Sequence, residues 1–390
     1  MIALLPSIII LLAASLALPD ANPTLYIFDK LFASNKRLHN SFNGKRIWIT
    51  GASSGIGAEL ARQLHNHGAK IIISGRKEEE LRRVQSICQT NDVSDSVSDS
   101  SSIVSKRNIY NTLCDISILP FDVTDSDEKI STVVSTALNL YGGLDVLILN
   151  AGAGQLSPAV DDSFSTTRAL MEVNYMGPVR IAMEVIKQEK WDKDIHSKKE
   201  KAHIVVTSSV ASKMALPLGT SYAASKHAVH GYFSSLRSEC AEWLRIDLPC
   251  PGPIATSFQS NVLNAESSSS AETAGEDEDE ETSEVQMPVD RCASLIISGM
   301  MGPASLMQET WISRQPTLFF LSLNQYFPKL SNMLLGKIGP LRLKAFRAGL
   351  PLYKVSSWLQ AAKMEQEQME STKAGHELEE RVDLSSKIEL

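Results

Sequence analysis

The sequence is poor in the features that mark several protein classes. Its 390 residues hold five cysteines, Cys88, Cys114, Cys240, Cys250 and Cys292, an odd number with no Cys-x-x-Cys spacing. That argues against a disulfide framework and offers no structural zinc site, so no metal is expected. No Asn-x-Ser/Thr sequon with x other than proline occurs, so nothing points to N-glycosylation. Basic charge is not in excess: the formal net charge is −7. A nucleic-acid binder is ordinarily basic, so that class is set aside. Much of the acidity is local, in the run Glu276, Asp277, Glu278, Asp279, Glu280 and Glu281, and describes a loop rather than the whole chain.

Apolar residues are present in quantity. They make up 43 % of the chain, enough for a substantial core. The first 18 residues, Met1 to Leu18, are almost wholly apolar, with Pro6 the main interruption. The unbroken part, Ser7 to Leu18, is short of the ~20 residues that span a bilayer. It suits a signal-peptide core, yet no basic segment precedes it. Lys30, Lys36 and Arg37 follow it, and would favour a cytoplasmic side for what comes next if it is an anchor. Membrane anchor and cleaved signal both stand, with a short helix packed on the fold as a third reading. The first two lead to the endoplasmic reticulum membrane or the secretory pathway, so membrane association is expected.

From Lys45 onward, short apolar strands alternate with helices. Strands are predicted over Lys45–Thr50, Ala69–Ser74, Ile116–Asp122, Leu144–Asn150 and Ile204–Thr207. Helices are predicted over Ala58–His67, Lys77–Cys88, Ser126–Tyr141, Phe164–Lys187 and Leu218–Leu244. This rhythm predicts an α/β fold, a single doubly wound parallel sheet of Rossmann type covered on both faces. One domain is expected over residues 43–350, its C-terminal part forming a substrate lid, with a charged tail over 360–390. Two Ser- and acid-rich stretches, 89–111 and 264–284, lack apolar periodicity. They bury too little surface to offset ordering entropy and are expected to be disordered insertions. The second also reads as an acidic interaction loop.

The residues that carry chemistry cluster at strand ends. Thr50-Gly51-Ala52-Ser53-Ser54-Gly55-Ile56-Gly57 lies between the first strand and first helix. Glycines there permit a tight turn and close approach to a pyrophosphate, which the helix N-terminus then attracts. After the second strand comes Ser74-Gly75-Arg76, with no acid to hold a ribose 2′-hydroxyl. Arg76 offers a guanidinium fork for a 2′-phosphate, which favours NADP(H); the alternative is that it merely starts a surface helix. Asp122-Val123 and Asn150-Ala151-Gly152 end the next two strands and point to the same crevice, though either could be an ordinary turn. Tyr222 and Lys226 sit at i and i+4 on one helical face. A lysine beside a phenol stabilises the phenolate, as an acid/base near neutral pH requires. Ser209 ends the fifth strand, where its hydroxyl can serve a developing alkoxide.

These residues in this order resemble the short-chain dehydrogenase/reductase family. The resemblance rests on the Gly-rich turn, Asn150-Ala151-Gly152, Ser209, Tyr222-x-x-x-Lys226 and Pro251-Gly252-Pro253-Ile254, and covers about Asn43 to Ser260. The stretches "SYAASKHAVHGYFSSLRSE" and "ETWISRQPTLFF" further resemble a membrane-associated branch of that family. The resemblance implies that Tyr222 exchanges a proton with the substrate oxygen. Lys226 would bind the nicotinamide ribose, Ser209 would orient the substrate, and Asn174 would hold a proton-relay water. It also implies that Asp122 and Val123 meet the adenine and that Thr256, after Pro251 and Gly252, meets the carboxamide. The expected activity is interconversion of a carbonyl and a secondary alcohol on a hydrophobic substrate such as a steroid, retinoid or lipid-like ketone. Oligomers are common in the family, which leaves a homodimer open, but nothing local in this chain specifies one.

The chain departs from the family pattern in three places. Leu149 stands where the motif usually has an asparagine. The two Ser-rich insertions are foreign to the core. Pro249 falls where a sixth strand should run, and proline is unwelcome in a central strand. Two other functions stay open: a nucleotide-binding scaffold without turnover, and an interaction protein recruited through its acidic loop.

Overall fold

Short, almost wholly buried strands put side chains against helices on both faces of one sheet. The computed structural model describes residues 18–94, 116–188, 201–256, 285–352 and 354–388. The chain enters through α1 (Pro23–Phe32) and α2 (Asn35–Phe42), then β1 (Arg46–Thr50), α3 (Gly55–Asn66), β2 (Lys70–Ser74) and α4 (Glu78–Ser94). There follow β3 (Ile116–Ile118), α5 (Asp127–Leu140), β4 (Val146–Leu149), α6 (Phe164–Met171), a π turn (Glu172–Met176) and α7 (Gly177–Lys187). Next come β5 (Ala202–Val206), a 3₁₀ turn (Val210–Ser212), α8 (Thr220–Glu239) and β6 (Leu244–Pro251). The last elements are α9 (Val289–Met301), α10 (Ala304–Met307), β7 (Glu309–Ile312), α11 (Thr317–Tyr326), α12 (Pro328–Arg347) and α13 (Val355–Ile388).

The seven strands form one sheet in the order β3-β2-β1-β4-β5-β6-β7, with every pair parallel. This is the expected doubly wound arrangement, with helices continuing after the sheet. Alternate residues of each strand serve opposite layers. Ile47, Ile49, Ile71 and Ile73 pack with Leu60 and Leu64 of α3 and Ile296 of α9. Trp48, Ile72, Leu147 and Ile204 pack with Val134 of α5, Ile181 of α7 and Phe233 of α8. Both faces are dry, so the strands read as continuous apolar runs.

Several boundaries differ from expectation, each for a local reason. The helix expected over Phe164–Lys187 is interrupted by the π turn. The helix expected to reach Leu244 ends at Glu239, and Leu244 instead opens β6 beside β5. The polar insertion expected from 89 starts later, because α4 continues to Ser94. The rest of that insertion, the segment 264–284 and the apolar run up to residue 17 lie outside the described residues.

The doubtful sixth strand exists, and its prolines are tolerated. Leu248 N–H donates to Gln308 O and Gly252 N–H to Ile312 O, so alternate amides from 248 face β7. Pro249 and Pro251 therefore turn their nitrogens to the other side. There the β5 ladder has already ended at the Val205–Asp247 pair, so no ladder donor is lost.

β7 and α1 are among the elements the sequence did not announce. Ala21 bridges Ile312, and Asn22 N–H donates to Trp311 O at 3.0 Å. Arg291 of α9 pairs with Asp20 at 2.7 Å and Asp29 at 2.9 Å, and Ser298 donates to Asp29 at 2.7 Å. Leu25 is fully buried beneath them. These contacts tie the segment around Asp20–Asp29 to β7 and α9. The chain divides into two compact units, Met1–Phe327 and Pro328–Leu390. In the second, α12 and α13 pack together through a Lys344–Glu365 ion pair and Arg342 over the Trp358 ring at 5.9 Å. No helix among the described residues is long and apolar enough to cross a membrane.

Replacing Arg291 with leucine leaves two half-buried carboxylates without their cation. The expected result is a loss of about 2 kcal/mol in denaturant unfolding, with faster proteolysis before residue 43. Unchanged stability would mean that the N-terminal segment is not held by this pair.

Candidate active site

The site begins where β1 turns into α3. Gly51 has φ +64, and a Cβ on it would lie 2.5 Å from the Ala151 Cα. Gly57 allows a second close approach: its Cβ would lie 2.3 Å from Gly51 O and 2.5 Å from Asn150 Nδ2. Only glycine fits either place. Ser54 takes the N-cap position with no side-chain cap bond, so the first turn of α3 keeps its N–H groups for an anion. Gly55, Ile56 and Gly57 form that turn, and the Thr256 side chain lies 3.4 Å from a Cβ placed on Gly55. Ser53 approaches the end of β2, 3.4 Å from a Cβ placed on Gly75. The residues thus fit a dinucleotide phosphate, with a backbone cradle that any side chain would fill.

The ends of β1, β4 and β5 are tied together over this cradle. The Thr50 hydroxyl accepts from Asn150 N–H at 3.1 Å and Ala151 N–H at 3.3 Å. Asn150 Nδ2 donates to Gly51 O at 3.0 Å, and Thr207 donates to Asn150 Oδ1 at 3.1 Å. Arg76 and Asp122 stand together at the β2 and β3 ends, 4.0 Å apart, with 70 % of the Arg76 side chain exposed. Asp122 also holds its own turn, accepting from Thr124 N–H at 2.9 Å. Val123 is buried, its carbonyl 2.9 Å from where a Gly177 Cβ would be.

Lys226 is buried, donates to Thr207 O at 3.0 Å, and lies 5.9 Å from the Tyr222 ring centre. It is also 3.6 Å from a Cβ placed on Gly152, and Asn174 Oδ1 is 3.2 Å from that same point. Tyr222 itself is half-buried. Burial pushes the Lys226 ammonium down from the ordinary 10.5 to about 8. Ser209 is buried; its hydroxyl accepts from Ala211 N–H at 3.1 Å and donates to Pro251 O at 3.4 Å. That donor bond is long for an O–H···O contact, so the proton is available to a better acceptor. Pro251 and Gly252 end β6, and Ile254 bridges Met287 just beyond.

Asn174 sits in the π turn, a distortion that re-aims a helical side chain. Its amide is committed to protein: Oδ1 accepts from Ala153 N–H at 2.8 Å, and Nδ2 donates to Ala153 O and Ser225 Oγ, both at 2.9 Å. Sequence reasoning missed Gln155. Its Oε1 accepts from Ser221 N–H at 2.8 Å and Tyr222 N–H at 3.1 Å, capping α8, whose Gly219 has no side chain to do so. The absence of a capping residue before Tyr222 was the available signal.

With this geometry described, the class is clear. A profile of the short chain dehydrogenases matches residues 45–267, and the chain belongs to that family of oxidoreductases. It is 32 % identical over 306 residues to "Dehydrogenase/reductase SDR family member 7" of Homo sapiens, across 78 % of this chain and 80 % of that one. A Dictyostelium discoideum "Dehydrogenase/reductase SDR family protein 7-like" is 32 % identical over 66 % of this chain and 74 % of its own. Among solved structures, a Burkholderia phymatum short chain dehydrogenase/reductase in complex with NAD superposes at TM-score 0.57. It is 20 % identical, over 74 % of this chain and 95 % of that one. A Burkholderia cenocepacia short chain dehydrogenase in complex with NADP gives 0.53 at 21 % identity, over 76 % and 98 %.

The lowered Lys226 pKa has a stability consequence with a definite sign. Between about 8 and 10.5 the unfolded chain binds a proton that the folded chain does not. Stability is therefore gained as pH rises across that window and lost as pH falls through 8. Lys226→Met should flatten this dependence and raise the unfolding free energy of the cofactor-free protein at pH 7, by at most about 3 kcal/mol. An equally steep dependence in the variant would show that Lys226 keeps its charge at no cost.

Proposed function

We propose that the chain is an NADP(H)-dependent oxidoreductase that interconverts a carbonyl and a secondary alcohol on a hydrophobic substrate, with Tyr222 as the acid/base. The observation that carries this reading is a buried Lys226 ammonium beside the Tyr222 ring, directly under the Gly152 backbone at the sheet's carboxyl edge. A cation there favours the phenolate over the phenol, so Tyr222 can take and return a proton at its Oη. Ser209, with its loosely engaged hydroxyl, donates to the substrate oxygen as charge grows on it. The bound nicotinamide supplies the hydride. Gly51, Ser53, Ser54, Gly55, Ile56 and Gly57 would hold the pyrophosphate, and the exposed Arg76 guanidinium at the end of β2 supports the choice of NADP(H) as the cation for a 2′-phosphate. Asp122 and Val123 would meet the adenine, and Asn150, Ala151, Pro251, Ile254 and Thr256 would serve the nicotinamide end. Asn174 shapes that end through the Ala153 backbone, which its amide holds.

Membrane association at the endoplasmic reticulum or secretory membranes belongs to the same proposal. It is supported by the outward face of α1, where Ile27, Leu31 and Phe32 are exposed beside Lys30, just after the apolar leader.

Fluorescence titration should show NADPH binding at least about tenfold tighter than NADH, with Arg76→Ala erasing the difference. Preference for NADH would remove the Arg76 argument. Binding of neither would remove the enzyme reading. Tyr222→Phe should keep NADPH binding and lower turnover of lipophilic ketones by about 10²-fold or more. Equal turnover would take Tyr222 out of the reaction.

A further inference from the structure

A second polar cluster lies immediately behind Ser209, and the reaction assigned above does not use it. His230 follows Lys226 by one turn on α8 and is buried. Its Nε2 lies 3.0 Å from Glu309 Oε2, at the start of β7. Its Nδ1 lies 3.1 Å from Ser208 Oγ and 3.3 Å from Ser212 Oγ. Ser212 Oγ donates to Ser209 O at 2.6 Å. The chain Glu309–His230–Ser208/Ser212–Ser209 thus runs from the sheet edge to the backbone of the serine at the site. Ser208 and Ser212 are both buried.

Hydrogen-bond accounting assigns the protons. Glu309 also accepts from Trp311 Nε1 at 2.8 Å and pairs with Lys213 at 3.2 Å. Burial pushes its carboxyl up, but the bonds from His230 and Trp311 and the Lys213 charge outweigh this and hold it down at about 2. A permanent carboxylate accepts only, so His230 must carry a proton on Nε2. In the neutral ring Nδ1 is then a bare acceptor. Ser212 spends its single proton on Ser209 O, and the Ser208 proton has two acceptors in reach, Ser212 Oγ at 3.0 Å and Nδ1 at 3.1 Å. The Cys250 thiol is the remaining neighbour, 4.0 Å from Nδ1; burial pushes it up to about 12, so it stays protonated, and it donates to Leu248 O at 3.5 Å.

We propose that His230, oriented by Glu309, is a positioning residue that fixes the Ser208–Ser212 turn and so aims the Ser209 hydroxyl at the substrate oxygen. This rests on the reading of Ser209 given above. The Ser209 hydroxyl is the N-cap of that turn, accepting from Ala211 N–H, so a turn that slips moves the hydroxyl with it. A small misplacement of a reacting group costs far more in rate than in stability. The cluster also reaches the C-terminal helices of this unit, because Asn324 of α11 donates to Lys213 O at 2.7 Å.

Two near-isosteres of histidine separate the ring's two ends. In His230→Asn an amide oxygen can stand near Nδ1 and keep the serines, while the Glu309 bond is lost. In His230→Gln the amide nitrogen can reach Glu309, while the acceptor for the serines is lost. The experiment measures reduction of a lipophilic ketone by the full chain with NADPH, alongside NADPH affinity and Tm. The expected result is a kcat within about threefold of wild type for H230N and at least about tenfold lower for H230Q, with NADPH affinity unchanged in both. Equal losses in the two variants, or losses that track Tm, would overturn the proposal. Should either variant fail to fold, Ser212→Thr and Ser212→Ala make the same comparison: the threonine keeps the bond to Ser209 O and the rate, and the alanine loses both. Amide exchange over residues 208–213 reads the positioning without turnover, and should quicken in H230Q and S212A only. A wild-type chain that binds NADPH but reduces no ketone would refute the reaction assigned to the site, and the exchange comparison would still decide whether His230 holds the turn.

Discussion

Thr50 and Asn150 tie together the carboxyl ends of three adjacent strands. Thr50 receives two backbone N–H groups from the β4 end, and Asn150 reaches back to Gly51 O while accepting from Thr207 at the β5 end. These bonds hold the backbone so close that side chains at 51 and 57 would collide with it. In an open parallel sheet the strand order reverses between β1 and β4, and a ligand finds its crevice there. The tie therefore fixes the floor on which the phosphate cradle, Gly152 and the Lys226 contact to Thr207 O are all built.

From that floor the helices aim the reactive groups. α8 carries Tyr222, Lys226 and His230 at four-residue spacing on one face. Its start is capped by Gln155 from the loop after β4, so the strand end that forms the nucleotide crevice also sets the height of Tyr222. The π turn works from the other side: by adding a residue to the turn it brings Asn174 onto the Ala153 backbone and Ser225. Burial of Lys226 costs stability in the cofactor-free chain.

Much of this was legible in the sequence, and the rest was hidden for physical reasons. β1, β2, β4 and β5 are continuous apolar runs beside clear turn signals, and the Gly-rich turn and Tyr222-x-x-x-Lys226 carry their own spacing. The π turn left no trace, because the Glu172–Met176 residues are ordinary helix formers. β6 was obscured by Pro249 and Pro251, whose harmlessness depends on where β5 ends, a fact of register rather than composition. β7 and the cap from Gln155 depend on contacts between distant segments. His230 gains its partners only in the fold: Ser208 and Ser212, and Glu309, 79 positions away.

The most direct test is a crystal structure of the chain with NADPH and a poorly reactive lipophilic ketone. The account predicts the pyrophosphate against the first turn of α3, and the ketone oxygen within hydrogen-bond distance of both Ser209 Oγ and Tyr222 Oη. A nucleotide bound elsewhere, or a ketone oxygen that meets neither hydroxyl, would contradict it.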